Sequence, residues 1–293
     1  MKSVIASYVN LTKPTIVLLF SLTGLTAIVA EGSMVHQPIR FAMVILAITL
    51  TACSANALNM FFDRDIDEVM KRTRKKRALP LKQISPRSAL IFGLVLGVMA
   101  IGILLYYANP LSAFIGAFTI FFYVVIYTLY LKRRTPYNIV IGGAAGATAP
   151  LMGWAAATGH ISLLAWILFL IIFVWTPPHF WALALVIKED YREAKVPMLP
   201  VVSGDRRTRL EILWYSLLLI PLTLAPTLIR AGGTTYLVSG TILGLIFLRQ
   251  TYVLLKKKDN KSAYMLFGYS IVYLLLLFTF LLVGTVTHGT PLA

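Results

Sequence analysis

The chain has 293 residues, 58% of them apolar and 13% charged, with a net charge of +16 and a mean hydropathy of +0.80. Ordinary soluble domains carry roughly 45–50% apolar and about 25% charged residues, so this much apolar surface belongs in lipid. That excludes a secreted disulfide scaffold, a disordered tail and a cytosolic nucleic-acid binder, and the one cysteine, Cys53, can form neither an internal disulfide nor a thiolate metal cluster.

A membrane-spanning helix needs about 20 apolar residues. Runs free of Asp, Glu, Lys and Arg cover 14–30, 41–62, 88–131, 135–187, 212–229, 231–248 and 262–293. Two are of double length; one breaks at Asn109-Pro110, a turn signal, the other near Thr158-Gly159-His160. Nine predicted helices follow, at 14–30, 41–62, 88–107, 111–131, 138–157, 161–187, 210–229, 234–254 and 264–285. The chain is expected to be an all-α polytopic membrane protein with a single domain over 1–293. The first run lacks a small-residue cleavage site and opens a series of similar runs, so it reads as a span rather than a signal peptide. Thr12-Lys13-Pro14 and Ser85-Pro86 place a capping hydroxyl and an early proline at the starts of helices one and three. Gly142 and Gly146 form a small-xxx-small pair for close packing in helix five.

Charge tests this count. With the N-terminus cytoplasmic, 25 of the 27 basic residues, Lys2 included, fall on the inner side; only Arg40 and Arg230 do not. Such asymmetry is what the positive-inside rule demands, and a bacterial inner membrane is the simplest setting. Two long inner loops, 63–87 and 188–209, follow helices two and six. Their equivalent placement, four helices apart, suggests an internal duplication.

The end of helix two and the start of the first loop carry Asn59, Asp63 and Asp67, spaced by four, which on a helix lie along one face about 5–6 Å apart. Two carboxylates and an amide suit a hard cation such as Mg²⁺, which keeps waters and shares its shell with substrate phosphates. Asp65 points elsewhere. The plainer reading is a solvated acidic helix end, but polar groups at membrane depth are costly and mark function. Six of the seven residues from Lys71 to Arg77 are basic, mostly for anionic lipid heads. Arg72 and Arg77, close to the carboxylates, would complete a diphosphate site. Helix six carries Trp175-Thr-Pro177-Pro178-His179-Phe180-Trp181, whose prolines should kink it. His179 is either a packing hydrogen-bond partner or a group facing an inner cavity, with Trp175 and Trp181 offering aromatic faces to a cation or a flat ring. Lys188-Glu189-Asp190-Tyr191-Arg192 closes that helix, as a surface ion-pair network or as the counterpart of the first cluster.

Asn-x₃-Asp-x₃-Asp after the second of nine helices resembles the intramembrane prenyltransferase superfamily. Asn59 to Asp67 with Arg72-Thr73, the Trp175 to Trp181 string, Lys188-Glu-Asp-Tyr191 and Val196-Pro-Met-Leu-Pro-Val-Val are similar to its protohaem IX farnesyltransferase (haem O synthase) branch, as are Leu11-Thr-Lys-Pro14 and Asn138-Ile-Val-Ile-Gly-Gly143. The likeness runs from about residue 11 to about residue 285. It implies farnesyl diphosphate and haem B as substrates, haem O and diphosphate as products, and Mg²⁺ on Asn59, Asp63 and Asp67. It further implies Arg72, Arg77, Lys188, Asp190 and Tyr191 around the diphosphate, Trp175 and Trp181 at the acceptor, and His179 orienting haem or water. A functional link to haem A synthase or terminal oxidase assembly follows from the same resemblance. The chain departs from the superfamily in holding one clear aspartate, Asp190, in the second loop, and Lys195 where Gly is common. Two alternatives stand beside this reading: a quinone-precursor prenyltransferase, and a membrane transporter or haem carrier.

Overall fold

The computed structural model describes residues 4–288; Lys2 lies outside the described residues. Among these, nine helices are long and apolar enough to cross a membrane: α1 (Pro14–Glu31), α2 (Pro38–Phe62), α3 (Pro86–Tyr107), α4 (Pro110–Arg133), α5 (Asn138–Thr158), α6 (Leu163–Val186), α7 (Gly204–Leu228), α8 (Gly233–Lys257) and α9 (Asn260–Thr287). The predicted spans are all present, and the largest boundary shift is the start of α7, which runs six residues further into its charged loop. The added turns carry Asp205, Arg206, Arg207 and Arg209, so they lie outside the apolar run.

The helices pack as a closed ring in which each neighbours the next in sequence and α9 returns against α1. α1, α5, α6 and α9 meet at its centre. α5 is the most enclosed span, 78% buried, whereas α3 and α7 are 28% buried and face lipid. Ser85 and Asn109 cap α3 and α4, each accepting from the backbone N–H three residues on; this is the N-cap geometry their side chains favour.

Local expectations fail in two places. Thr12 does not cap α1. It ends a separate short helix, Val4–Thr12, and its hydroxyl donates to the Val9 carbonyl. Lys13, at φ 55°, turns the chain into α1. Gly142 and Gly146 do not act as a pair. A side chain at Gly142 would run into the Tyr127 ring of α4, whereas Gly146 faces open space within the bundle. Pro177 and Pro178 lie inside α6, which is one continuous helix from Leu163 to Val186.

Two features have no sequence forecast. The inner half of α4, Phe122–Tyr130, is π-helical, a rare form found mostly at functional sites. α5 is interrupted at Thr148, whose hydroxyl donates to the Ala145 carbonyl and accepts from Thr119 of α4.

Substituting Gly142→Ala is expected to destabilise the bundle by about 1–3 kcal/mol through overpacking against Tyr127. Gly102→Ala, on the open face of α3 with no neighbour within 4 Å, is expected to change nothing. Thermal unfolding of the two variants in detergent checks this.

Candidate active site

α2 ends at Phe62, yet the helical register continues through the junction: Asp63 N–H donates to the Asn59 carbonyl and Asp67 N–H to the Asp63 carbonyl, both at 2.9 Å. Asn59, Asp63 and Asp67 therefore stay on one face. All three are buried, at 3%, 1% and 1% exposure, so each polar atom needs a partner.

The partners are mostly cations from other helices. Lys13, at the start of α1, donates to Asn59 Oδ1 at 2.7 Å. Asn59 Nδ2 donates to Asp63 Oδ2 at 2.8 Å and to Thr128 Oγ1 at 2.9 Å. Lys132, at the inner end of α4, reaches the same Asp63 oxygen at 2.6 Å. Arg77 pairs with Asp67. Three basic side chains thus surround two carboxylates and an amide. Burial and the Arg77 guanidinium together pull the Lys13 ammonium well below the ordinary lysine pKa, while Asp63 and Asp67 oppose the fall.

Asp63 Oδ1 is buried with no hydrogen-bond partner among the described residues. An orphaned carboxylate oxygen between a buried amide and a second carboxylate fits a Mg²⁺ ion that completes its shell with water and phosphate oxygens. Among the described residues no three His, Cys, Asp or Glu side chains converge on a metal position, so an ion there would draw on two carboxylates and the Asn59 amide.

The π-helical turn of α4 serves this cluster. It lets Thr128 donate to the Tyr123 carbonyl, five residues back, while its oxygen receives Asn59. The same turn stacks Tyr123 on Tyr127, ring centroids 5.3 Å apart, and both rings line a cavity of about 190 Å³ among α1, α4, α5, α6 and α9. The cavity begins at Thr15 and Ile16, just past Lys13, so the polar cluster stands at its inner mouth. Trp175, His179 and Phe180 form the α6 wall. The His179 ring is sandwiched between Trp175 at 4.3 Å and Phe267 at 4.7 Å. Its Nδ1 lies 2.6 Å from Ser270 Oγ.

The second inner loop folds over the first. The Arg72 N–H donates to Asp190 Oδ2 at 3.0 Å, and Lys71 pairs with Glu193 at 3.1 Å. Below these bonds Ile66, Met70, Tyr191, Val196 and Met198 form one apolar cluster. Tyr191 is buried there, which raises its phenol pKa, while the Arg72 side chain is exposed. Asp65 turns outward to Arg133, at 2.7 and 2.8 Å, which holds its carboxyl below the usual range.

Two predicted site residues are placed elsewhere. Lys188 ties the end of α6 to Asp205 at the start of α7, at 2.9 Å, because the chain reverses there. Trp181 points away from the cavity, fully buried against Tyr215 of α7, since six residues along a helix turn the side chain about 120° away from Trp175. Sequence reasoning missed Lys13, Lys132, Thr128, Tyr123 and Tyr127. The two lysines read only as inner-side charge, though each stands at the very end of a span, where its side chain reaches inward.

Comparison with known proteins defines the class. A structure giving insights into digeranylgeranylglyceryl phosphate synthase in membranes shares this architecture with a TM-score of 0.79 at 19% identity, over 97% of this chain and 99% of that one. A UbiA homologue from Archaeoglobus fulgidus bound to DMAPP and Mg²⁺ gives 0.65 at 14% identity, over 93% and 99%. At such identities the likeness is one of fold, that of intramembrane UbiA proteins. Sequence carries it further: the UbiA prenyltransferase family model matches residues 17–282, and a protoheme IX farnesyltransferase from Beijerinckia indica is 51% identical over 277 residues, covering 93% of this chain and 86% of its own. The chain belongs to the UbiA prenyltransferase family, which sets aside the transporter reading.

Asp63→Asn or Asp67→Asn is expected to lower turnover by about two orders of magnitude or more, with helix content and melting temperature near those of the parent. Full activity in either variant would take the carboxylates out of the chemistry.

Proposed function

We propose that the protein transfers the farnesyl group of farnesyl diphosphate to a vinyl group of haem B, adds water, and releases haem O and diphosphate. The observation that carries this reading is the buried Asn59–Asp63–Asp67 face, with the basic side chains around it, at the mouth of an aromatic cavity in the bundle. The protoheme IX farnesyltransferase relatives, at 45–51% identity over more than nine-tenths of the chain, support haem as acceptor over a quinone precursor.

Asn59, Asp63 and Asp67 would hold Mg²⁺, as the Mg²⁺-bound A. fulgidus homologue encourages. When bound, it neutralises the diphosphate and weakens the C1–O bond. Lys13, Arg77 and Lys132 share the remaining charge, with Arg72 beside them and Asp190 and Tyr191 anchoring the loop that carries it. The C1–O bond breaks, its electron pair leaves with diphosphate, and the farnesyl group becomes an allylic cation. Trp175, Phe180, Tyr123 and Tyr127 offer it π-faces, and the apolar lining keeps water away. The vinyl π electrons bond to C1, leaving a cation on the carbon beside the porphyrin. Water bonds to that carbon and loses a proton. His179, on the same wall, belongs to this acceptor end.

The clustering of basic residues at one membrane face supports a cytoplasmic N-terminus and an active site facing the cytoplasm from the inner membrane. The mutual docking of the two inner loops, each folded into short helices, supports a single domain over 1–293 with related halves. The product, a haem bearing a hydroxyethylfarnesyl chain, suits a haem A synthase or a terminal oxidase as consumer.

Membranes supplied with haem B, farnesyl diphosphate and Mg²⁺ are expected to yield haem O by mass spectrometry, with one diphosphate per haem O. A prenylated quinone precursor without haem O would overturn the acceptor. Chelation of divalent ions is expected to stop turnover, and Mg²⁺ to restore it; activity that persists after chelation would exclude the metal.

A further inference from the structure

We propose that His179 is the proton acceptor for the water that ends the reaction, presenting an unprotonated Nε2 to the cavity. This rests on the vinyl-group reading above, in which capture of the last cation must release a proton.

The tautomer follows from Ser270. Its hydroxyl has one hydrogen, and it donates that hydrogen to the Phe267 carbonyl at 2.6 Å. A carbonyl can only accept. Ser270 Oγ therefore meets His179 Nδ1, at 2.6 Å, as an acceptor, and Nδ1 carries the ring proton. Nε2 is left with its lone pair and has no partner among the described residues.

Among the described residues no other side chain lining the cavity competes for the role. Its other polar side chains are Thr15, Thr23, Thr176, Tyr123 and Tyr127, all hydroxyls, and neutral hydroxyls are far weaker bases than imidazole. The carboxylates stand at the inner mouth, engaged by Lys132 and Arg77.

Two aromatic faces flank the charge that would form. When the water oxygen bonds to the carbocation, one O–H bond breaks, its electrons stay on oxygen, and the proton passes to Nε2. The resulting imidazolium lies between the Trp175 and Phe267 rings, whose π-faces attract a cation. Its Nδ1–H strengthens the bond to Ser270, and the hydroxyl passes that polarisation to the Phe267 carbonyl. Trp175 is held in place by its own Nε1–H bond to the Ser270 carbonyl, at 2.9 Å. The stack also fixes the ring, so its edge, rather than its face, meets the reacting centre.

Without a base to take a proton from water, the cation escapes by losing one from the adjacent CH₂. That gives an alkene lighter than haem O by one water. The test is product partition in the full-length protein with haem B, farnesyl diphosphate and Mg²⁺, read by mass spectrometry of extracted haems. His179→Ala is expected to raise the ratio of dehydrated to hydrated product by about two orders of magnitude, while diphosphate release continues. Ser270→Ala frees the tautomer and is expected to shift the ratio in the same direction by less. An unchanged ratio in His179→Ala would overturn the proposal. So would loss of diphosphate release in a variant with a native melting temperature, since the base acts after that step. If His179→Ala does not fold, an unchanged ratio in Ser270→Ala overturns it. Absence of any farnesylated haem from the parent protein would instead sink the reading on which the proposal stands.

Discussion

The arrangement depends on keeping two carboxylates charged where water is scarce. A buried anion costs several kcal/mol unless it is paired and hydrogen-bonded, and Asp63 and Asp67 are almost fully enclosed. Lys132, Arg77 and, through Asn59, Lys13 meet that demand from three separate elements. The same contacts tie α1, α2, α4 and the first inner loop together at one point. A site of this kind is both a binding centre for an anion and the electrostatic knot of the inner face.

Above the knot the bundle must leave space without losing cohesion. Membrane helices associate through close packing and polar contacts rather than through water exclusion. Gly142 lets α5 meet the Tyr127 ring, and Gly143 faces Thr176 of α6. Gly146, with no neighbour within reach, contributes space to the cavity. The π-helical turn of α4 moves in the same direction. It costs regular hydrogen bonding, yet it points Thr128 at Asn59 and two tyrosines into the cavity. Chemistry at the mouth and shape in the chamber are therefore set by one irregular segment.

The inner loops close the site from the water side. Their docking uses a backbone N–H from one and a carboxylate from the other, over a small apolar cluster. Exposed ion pairs such as Lys71–Glu193 are worth little alone, so the apolar cluster supplies the cohesion and the charges its register.

The sequence by itself determined the nine spans, their alternation across the bilayer and the one-face carboxylate ladder. These follow from local rules: about 20 apolar residues cross a membrane, basic residues stay on one side, and a spacing of four aligns side chains on a helix. It also put Asp65 off that ladder, where Arg133 meets it. Only the tertiary structure decided that Lys13 and Lys132 enter the site while Lys188 turns to Asp205, that Trp175 faces the cavity while Trp181 faces α7, and that Gly142 packs while Gly146 opens space. Each of those outcomes depends on which helix stands opposite, a relation between residues up to about a hundred positions apart that no local pattern encodes. The π-turn is likewise invisible in the sequence, because its stability comes from the partners Thr128 and Tyr127 find on α2 and α5.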